Sequence, residues 1–289
     1  MLMAIGTLAV AAGSPASARR LSTSSVMLDD LHFFYLQVRW QALGLVAMFA
    51  ASLLPKDMAR RAGILLGFAM IVGLMLVPVV GSTINGARRW LNFGVSLQPS
   101  EFLKPAFAIA LAWILSWRVR DPNLPVVGIA TGLMALVAML LMAQPDFGST
   151  ILFAGVWFVM VLMSGIPVKR IVLAGLGAIM AVIATYFLYD NARHRIDAFI
   201  GGGSAWDQVD LAQRTLLGGG WTGTGLWLGT RKLSLPEAHT DYIFSVIGEE
   251  FGLLVCAVIV LLYLAVVARV LLRLMEEEDL FTTLAATGL

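Results

Sequence analysis

Glu249-Glu250-Phe251-Gly252-Leu253-Leu254-Val255-Cys256-Ala257-Val258-Ile259-Val260-Leu261-Leu262-Tyr263-Leu264-Ala265-Val266-Val267-Ala268 opens with two acids and then carries no charge until Arg269. A helix needs about 20 predominantly apolar residues to cross the hydrocarbon core of a bilayer, so this run reads as a membrane span with a polar mouth. Comparable runs lie upstream near 2–12, 37–54, 62–80, 102–117, 125–143, 149–165 and 170–189. Of the 289 residues, 59% are hydrophobic and 13% charged, against about a quarter charged in ordinary soluble domains. Such a chain lacks the polar surface to cover itself in water. The composition predicts an all-α, polytopic membrane protein and excludes a cytosolic enzyme or a nucleic-acid partner. Basic and acidic residues number 20 and 18, a net charge of +2, so their positions matter more than their sum. Cys256 is the only cysteine, which leaves no disulfide, thiolate zinc cluster or iron–sulfur site within the chain.

Short basic loops face the cytoplasm. Lys56, Arg60 and Arg61, then Arg118 and Arg120, then Lys169 and Arg170, then Arg269 and Arg273 occupy one alternating set of short loops. Arg19, Arg20, Arg39, Arg88, Arg89, Lys104, Arg193, Arg195, Arg214, Arg231 and Lys232 fall on the opposite side, mostly in long connections. Charge density therefore puts the second set outside. The expected organisation is one domain over 1–289 with a long extracytoplasmic loop at 190–248. That loop interleaves Trp206, Trp221, Trp227, Tyr242 and Phe244 with glycines, which suits either a folded loop at headgroup level or an aromatic belt that only anchors the interface. Ala16-Ser17-Ala18 has the small residues of a signal cleavage site, but no positive segment precedes the first apolar run, so a shortened first span is the preferred reading. Leu280 to Leu289, after Glu276-Glu277-Glu278-Asp279, reads as the opening of a ninth span.

Polar groups at membrane depth are costly and are functional-site hypotheses by default. Asn85-Gly86-Ala87-Arg88-Arg89-Trp90 is followed by Gln98-Pro99-Ser100-Glu101-Phe102-Leu103-Lys104, where Pro99 suits a first helical turn and Glu101 and Lys104 share a helix face. An ion pair at a helix start with snorkelling arginines would explain the same residues. Gln144-Pro145-Asp146-Phe147-Gly148-Ser149-Thr150 has no cation of its own, so Asp146 needs Arg88 or Arg89, or else caps the next helix. Arg193-His194-Arg195-Ile196-Asp197 reads as a solvated helix end or as a phosphate-binding surface. Leu235-Pro236-Glu237-Ala238-His239-Thr240-Asp241-Tyr242-Ile243-Phe244 gathers two acids and a histidine, but Glu237, His239 and Asp241 lack the His-Glu-x-x-His spacing of a zinc protease. A carboxylate such as Asp241 serves as a general base when its surroundings exclude water.

As a set, the motifs at 85–90, 98–104, 144–148 and 235–244 resemble, in order and spacing, the SEDS family (shape, elongation, division and sporulation). Pro236-Glu237-Ala238-His239-Thr240-Asp241 and Ile247-Gly248-Glu249-Glu250 are more similar to its cell-division branch than to its elongation branch. The resemblance covers essentially the whole chain and implies a ten-span fold, of which eight to nine spans are present here. The family's Pro-Phe-Ile-Ser-Tyr-Gly-Gly-type motif has no counterpart, which implies a truncated chain. The resemblance further implies a peptidoglycan glycosyltransferase of the bacterial cytoplasmic (inner) membrane. Such an enzyme polymerises lipid II at the outer face during cell division, beside a class B penicillin-binding protein and other divisome membrane proteins.

On that resemblance Asp241 matches the family's essential acid and Trp90 the tryptophan of its Arg-Trp motif. The implied chemistry has Asp241 deprotonate the acceptor sugar while Arg88, Arg89, Lys104, Arg193 and Arg195 neutralise the departing undecaprenyl pyrophosphate. Glu101, Asp146, Glu237 and His239 complete the expected substrate-binding set, with His239 orienting Asp241 or its loop. No metal site within the protein is expected. A divalent cation, Mg or Mn, held by pyrophosphate with Glu237 or Asp146 would share the same charge. Two other classes remain alternatives. A lipid-linked-sugar flippase would line a translocation path with these groups, and a non-catalytic divisome scaffold would use none of them.

Overall fold

The computed structural model describes residues 1–22, 27–84, 87–92, 96–144, 146–165, 176–177, 180, 183–184, 186–187, 189–190, 193, 197 and 208–289. Its elements are α1 (Leu2–Leu21), α2 (His32–Ser52), α3 (Lys56–Val80), β1 (Ser82–Ile84), β2 (Ala87–Asn92), β3 (Ser96–Leu97), α4 (Pro99–Ser116), α5 (Val126–Met142), α6 (Phe147–Met163), α7 (Gln208–Gly218), α8 (Ile243–Leu274) and α9 (Leu280–Gly288). Among the described residues the fold is all-α apart from three short strands. The segments Lys56–Val80, Pro99–Val119 and Ile243–Leu274 are long and apolar enough to cross a membrane, and α5 and α6 are apolar but shorter. Most of the span expected at 170–189 lies outside the described residues, as do Lys169, Arg170, Gly201 to Gly203 and Trp206.

The chain divides into two compact units, one of Met1–Leu53 with Asp197–Arg269 and one of Leu54–Ile196 with Val270–Leu289. In the second unit α3 meets α4 along a stripe of small residues. A side chain at Gly63 would approach Ile109 Cδ1 to 2.6 Å, and Gly67 and Gly73 face Ala106 and Pro99. Close backbone approach of this kind suits helices in lipid, where packing rather than the hydrophobic effect drives association. Leu103, Phe107, Leu111 and Leu115 recur every four residues along α4 and centre its core, and Phe107 meets Phe153 of α6 edge to face at 5.0 Å between centroids. The stretch between α3 and α4, read from sequence as a loop, forms a small antiparallel sheet in the order β1-β2-β3. Ser82 pairs with Trp90 and Thr83 with Arg88 across β1 and β2, and Leu91 pairs with Leu97 across β2 and β3. Strands of two to six residues carry no long apolar signal, so a reading based on apolar runs misses them. Asp279 caps α9 by accepting from the amides of Phe281 and Thr282, so the expected helix start at 280 is present.

In the first unit α1 runs to Leu21, well past the apolar run that ends near 12, and continues through Pro15 with Ala16, Ser17 and Ala18 buried. No residue of α2 is buried, and beyond Ile259 nearly every side chain of α8 is exposed. Apolar surface on this scale fits lipid contact. Helix α8 is broken: Gly252 has φ 83 and ψ 169, separating a short half-helix, Ile243 to Phe251, from the long run that follows. The groups freed by the break bond to the preceding loop. Thr224 N donates to Glu249 O at 2.9 Å and Gly225 N to Glu250 O at 3.0 Å, while Leu253 N and Leu254 N donate to Gly220 O and Trp221 O at 3.0 and 3.2 Å. Non-helical backbone in a membrane protein is tolerated where other parts of the protein satisfy it in this way.

Candidate functional site

Ser82 pairs with Trp90 and Thr83 with Arg88, so Arg89 is the extra residue of a β-bulge in β2, a feature that interrupts the regular alternation and re-aims a side chain. Arg89 is half-buried: its Nη1 lies 3.7 Å from Asp146 Oδ1 and its Nε donates to Gln144 O at 3.3 Å. Asp146 is buried and also caps α6, accepting from Ser149 N at 3.3 Å and from Ser149 Oγ at 2.8 Å. Both expectations for Asp146, the arginine partner and the helix cap, hold at once. Gln144 in turn donates from Nε2 to Leu74 O at 2.9 Å, which ties the α5–α6 turn to α3. Arg88 is exposed and donates from Nη1 to Pro78 O at 3.3 Å.

At the start of α4, Pro99 occupies the first helical turn and Lys104 Nζ contacts both carboxylate oxygens of Glu101 at 2.8 Å. An apolar cavity of about 250 Å³ opens beside Lys104, lined by Phe107, Leu152, Phe153 and Val156 among others. The guanidinium of Arg193 lies 5.7 Å from the centroid of the Tyr186 ring. Arg195 and His194 fall outside the described residues, as do Asn85, Gly86 and Pro145.

In the other unit the turn before α8 presents its polar groups and hides its apolar ones. Leu235 and Ala238 are buried, whereas Glu237, Thr240 and Asp241 are exposed. Glu237 has φ 51, a left-handed backbone that is unusual for a side-chain-bearing residue. Its carbonyl accepts from Thr240 N and Tyr242 N at 3.1 and 3.2 Å, and its Oε2 accepts from Thr240 Oγ1 at 2.9 Å. His239 is packed at 3.9 Å between ring centroids against Phe33, and a 2.8 Å hydrogen bond joins its Nδ1 to Ser17 Oγ. Burial pushes the His239 imidazole below the ordinary histidine value, against the opposing pull of the Glu237 and Asp241 carboxylates. Asp241 lies two residues before the half-helix. Asp241 is exposed, not in the water-excluded setting that would favour a general base.

Among the described residues no group of three His, Cys, Asp or Glu side chains converges as a metal site. Asp146 and Glu237, the alternative carboxylates for a cation held with pyrophosphate, each accept from a hydroxyl.

The sequence reading did not single out Lys232, Glu249 and Glu250 as a group, yet all three are buried. Lys232 Nζ pairs with Glu250 Oε1 and donates to Ala12 O of α1 at 2.9 Å. Glu250 Oε2 accepts from Trp227 N at 2.9 Å, while Glu249 accepts from the amides of Arg231 and Lys232 at 2.7 and 2.9 Å. Two acids at the mouth of an apolar run signal that partners must exist. The sequence does not say that the partner is a lysine in the preceding loop.

Helices built to face lipid and polar turns held at their ends define a polytopic helical membrane protein with cationic and acidic surface motifs. The chain belongs to the cell cycle protein family of FtsW, RodA and SpoVE, whose model matches residues 1–289. It is 34% identical over its whole length to a Caulobacter vibrioides protein called probable peptidoglycan glycosyltransferase FtsW, and spans 74% of that protein. A Xanthomonas oryzae protein of the same name is 34% identical over 93% of this chain, which spans 58% of that relative's length. Among solved structures, one described as showing structural coordination of polymerization and crosslinking by a peptidoglycan synthase complex matches with a TM-score of 0.71 and 27% identity, covering 99% of this chain and 81% of that one. The Thermus thermophilus rod shape determining protein RodA shares the fold, with a TM-score of 0.61 at 24% identity, over 99% of this chain and 78% of its own.

Proposed function

We propose that this protein is the glycan-polymerising enzyme of cell division, a peptidoglycan glycosyltransferase that joins lipid II units at the outer face of the bacterial cytoplasmic membrane. The observation that carries this reading is the exposed Asp241 carboxylate on a tightly bonded turn at the head of α8, in a chain 34% identical along its whole length to a relative bearing that name. Asp241 removes the proton from the 4-hydroxyl of the acceptor N-acetylglucosamine. The freed oxygen forms a bond to the anomeric carbon of the donor N-acetylmuramic acid, and the bond to undecaprenyl pyrophosphate breaks with inversion. A general base contributes about 10²–10⁴-fold, so positioning and charge neutralisation on the leaving pyrophosphate supply the rest.

Arg88 is the cation favoured for that second role, because its side chain is exposed beside Trp90 in sequence while Arg89 is held at Asp146. The apolar cavity beside Lys104 suits part of a polyprenyl chain, with the ammonium at its edge. A class B penicillin-binding protein is the proposed partner, supported by the likeness to a synthase complex that couples polymerization to crosslinking. The test is Asp241→Asn in the full-length protein, which keeps shape and hydrogen bonding but accepts no proton. It is expected to abolish glycan-strand formation from lipid II with folding and membrane insertion unchanged. Polymerisation at the wild-type rate would overturn the assignment and promote the flippase or scaffold.

A further inference from the structure

The buried ion pair of Lys232 with Glu250 takes no part in the chemistry just described, yet it is the most completely enclosed charged group among the described residues, with side chains 4% and 0% exposed. A pair of this kind contributes little net stability, because the attraction only offsets the cost of taking both charges out of water, and well-packed apolar residues in the same place are often neutral or stabilising. Its surroundings suggest another use. Four separate segments converge on the three side chains: Ala12 of α1, the turn at Trp227, the 3₁₀ turn Arg231–Leu233, and the half-helix that ends at the Gly252 break. The break uncouples this half-helix from the long run of α8, so its position is set by what grips it from the side.

The grip also holds strained backbone. Trp227 and Glu237 are the two residues other than glycine with positive φ among the described residues, at 65 and 51. Trp227 donates its amide straight into Glu250 Oε2, and its indole nitrogen donates to Ala11 O at 3.2 Å. Glu237 lies in the turn that leads to Asp241. Strained conformations cost about 1–3 kcal/mol each and persist only where the surroundings over-determine them. At Trp227 those surroundings include Glu250, whereas Glu237 is held within its own turn by the amides of Thr240 and Tyr242.

We infer that Lys232 and Glu250, with Glu249, are positioning residues that lock the half-helix and the turn bearing Asp241 in register with α1. The functional arm of this inference rests on the proposed glycosyltransferase reading. The structural arm does not.

The experiment uses the full-length protein in detergent. Lys232→Met with Glu250→Gln removes both charges, keeps the bulk and leaves an acceptor for the Trp227 amide. The expected result is a melting temperature like the wild type and amide hydrogen exchange at Thr240, Tyr242 and Ser245 at least ~10-fold faster, with exchange in the long run of α8 unchanged. In lipid II polymerisation kcat should fall by ~10-fold or more with KM little altered, and Lys232→Arg should retain most of the turnover. Wild-type exchange at the turn in the double variant would overturn the inference, as would a lowered melting temperature with exchange raised throughout the surrounding helices, which marks the pair as general stabilisation. If the wild type itself makes no glycan, the glycosyltransferase reading fails and the exchange measurement alone decides the positioning role.

Discussion

A β-bulge inserts an extra residue and re-aims its side chain, and in β2 the bulge at Arg89 gives two neighbouring arginines different surroundings. Arg89 is committed to Asp146 and Gln144 O, whereas Arg88 is exposed. Arginine grips phosphate with two parallel hydrogen bonds where lysine offers a point charge. Arg88→Lys is therefore expected to lower lipid II turnover by ~10-fold or more, about 1.4 kcal/mol of transition-state binding, while Arg89→Lys retains most of it. Steady-state kinetics of the two variants checks the division, and equal effects would refute it. His239 gives a second prediction. Its folded value is lowered by burial, so the neutral ring is the form that folding favours. As pH falls through the unfolded value of about 6.5, the unfolded chain takes up the proton first and the folded state loses stability, down to the folded value where the loss stops. Thermal unfolding between about pH 8 and pH 5 should show this acid loss in the wild type and a weaker one in His239→Asn. These environments were only half legible beforehand. Residue type marked Asp146 as needing a cation or a cap, but the choice of Arg89 over Arg88 required the strand.

At the scale of elements, the break in α8 is the feature with the sharpest consequence. Gly252 adopts a φ and ψ open essentially to glycine alone, and a Cβ there would collide with the Trp221 carbonyl oxygen. Gly252→Ala should destabilise the protein by at least ~2 kcal/mol, read as a lower melting temperature in detergent. A wild-type melt would show that the loop at 220–225 gives way without cost. The sequence placed a span near 249–268, whereas the helix begins six residues earlier and is interrupted inside that window. Apolar periodicity cannot register such a break, because the four backbone bonds that compensate it come from the preceding loop. The strands between α3 and α4 escaped for a related reason: a short sheet stabilised by pairing carries no long apolar signal.

For the molecule as a whole, sidedness is the property to test. Short basic loops predict that Asn123 faces the cytoplasm and Ser234 the outside. With Cys256 replaced, a membrane-impermeant thiol reagent on intact cells should label a cysteine at Ser234 and spare one at Asn123. Reversed labelling would remove the proposed outer-face site. Composition by itself determined that this chain is an all-α membrane protein, because 13% charged residues cannot solvate a surface of this size, and four ordered motifs determined the family. Tertiary structure alone decided which charges meet. Lys232 reaches Glu250 and Arg89 reaches Asp146 across 18 and 57 positions of chain, and pairing at such separations follows from how helices pack and strands register rather than from any local pattern.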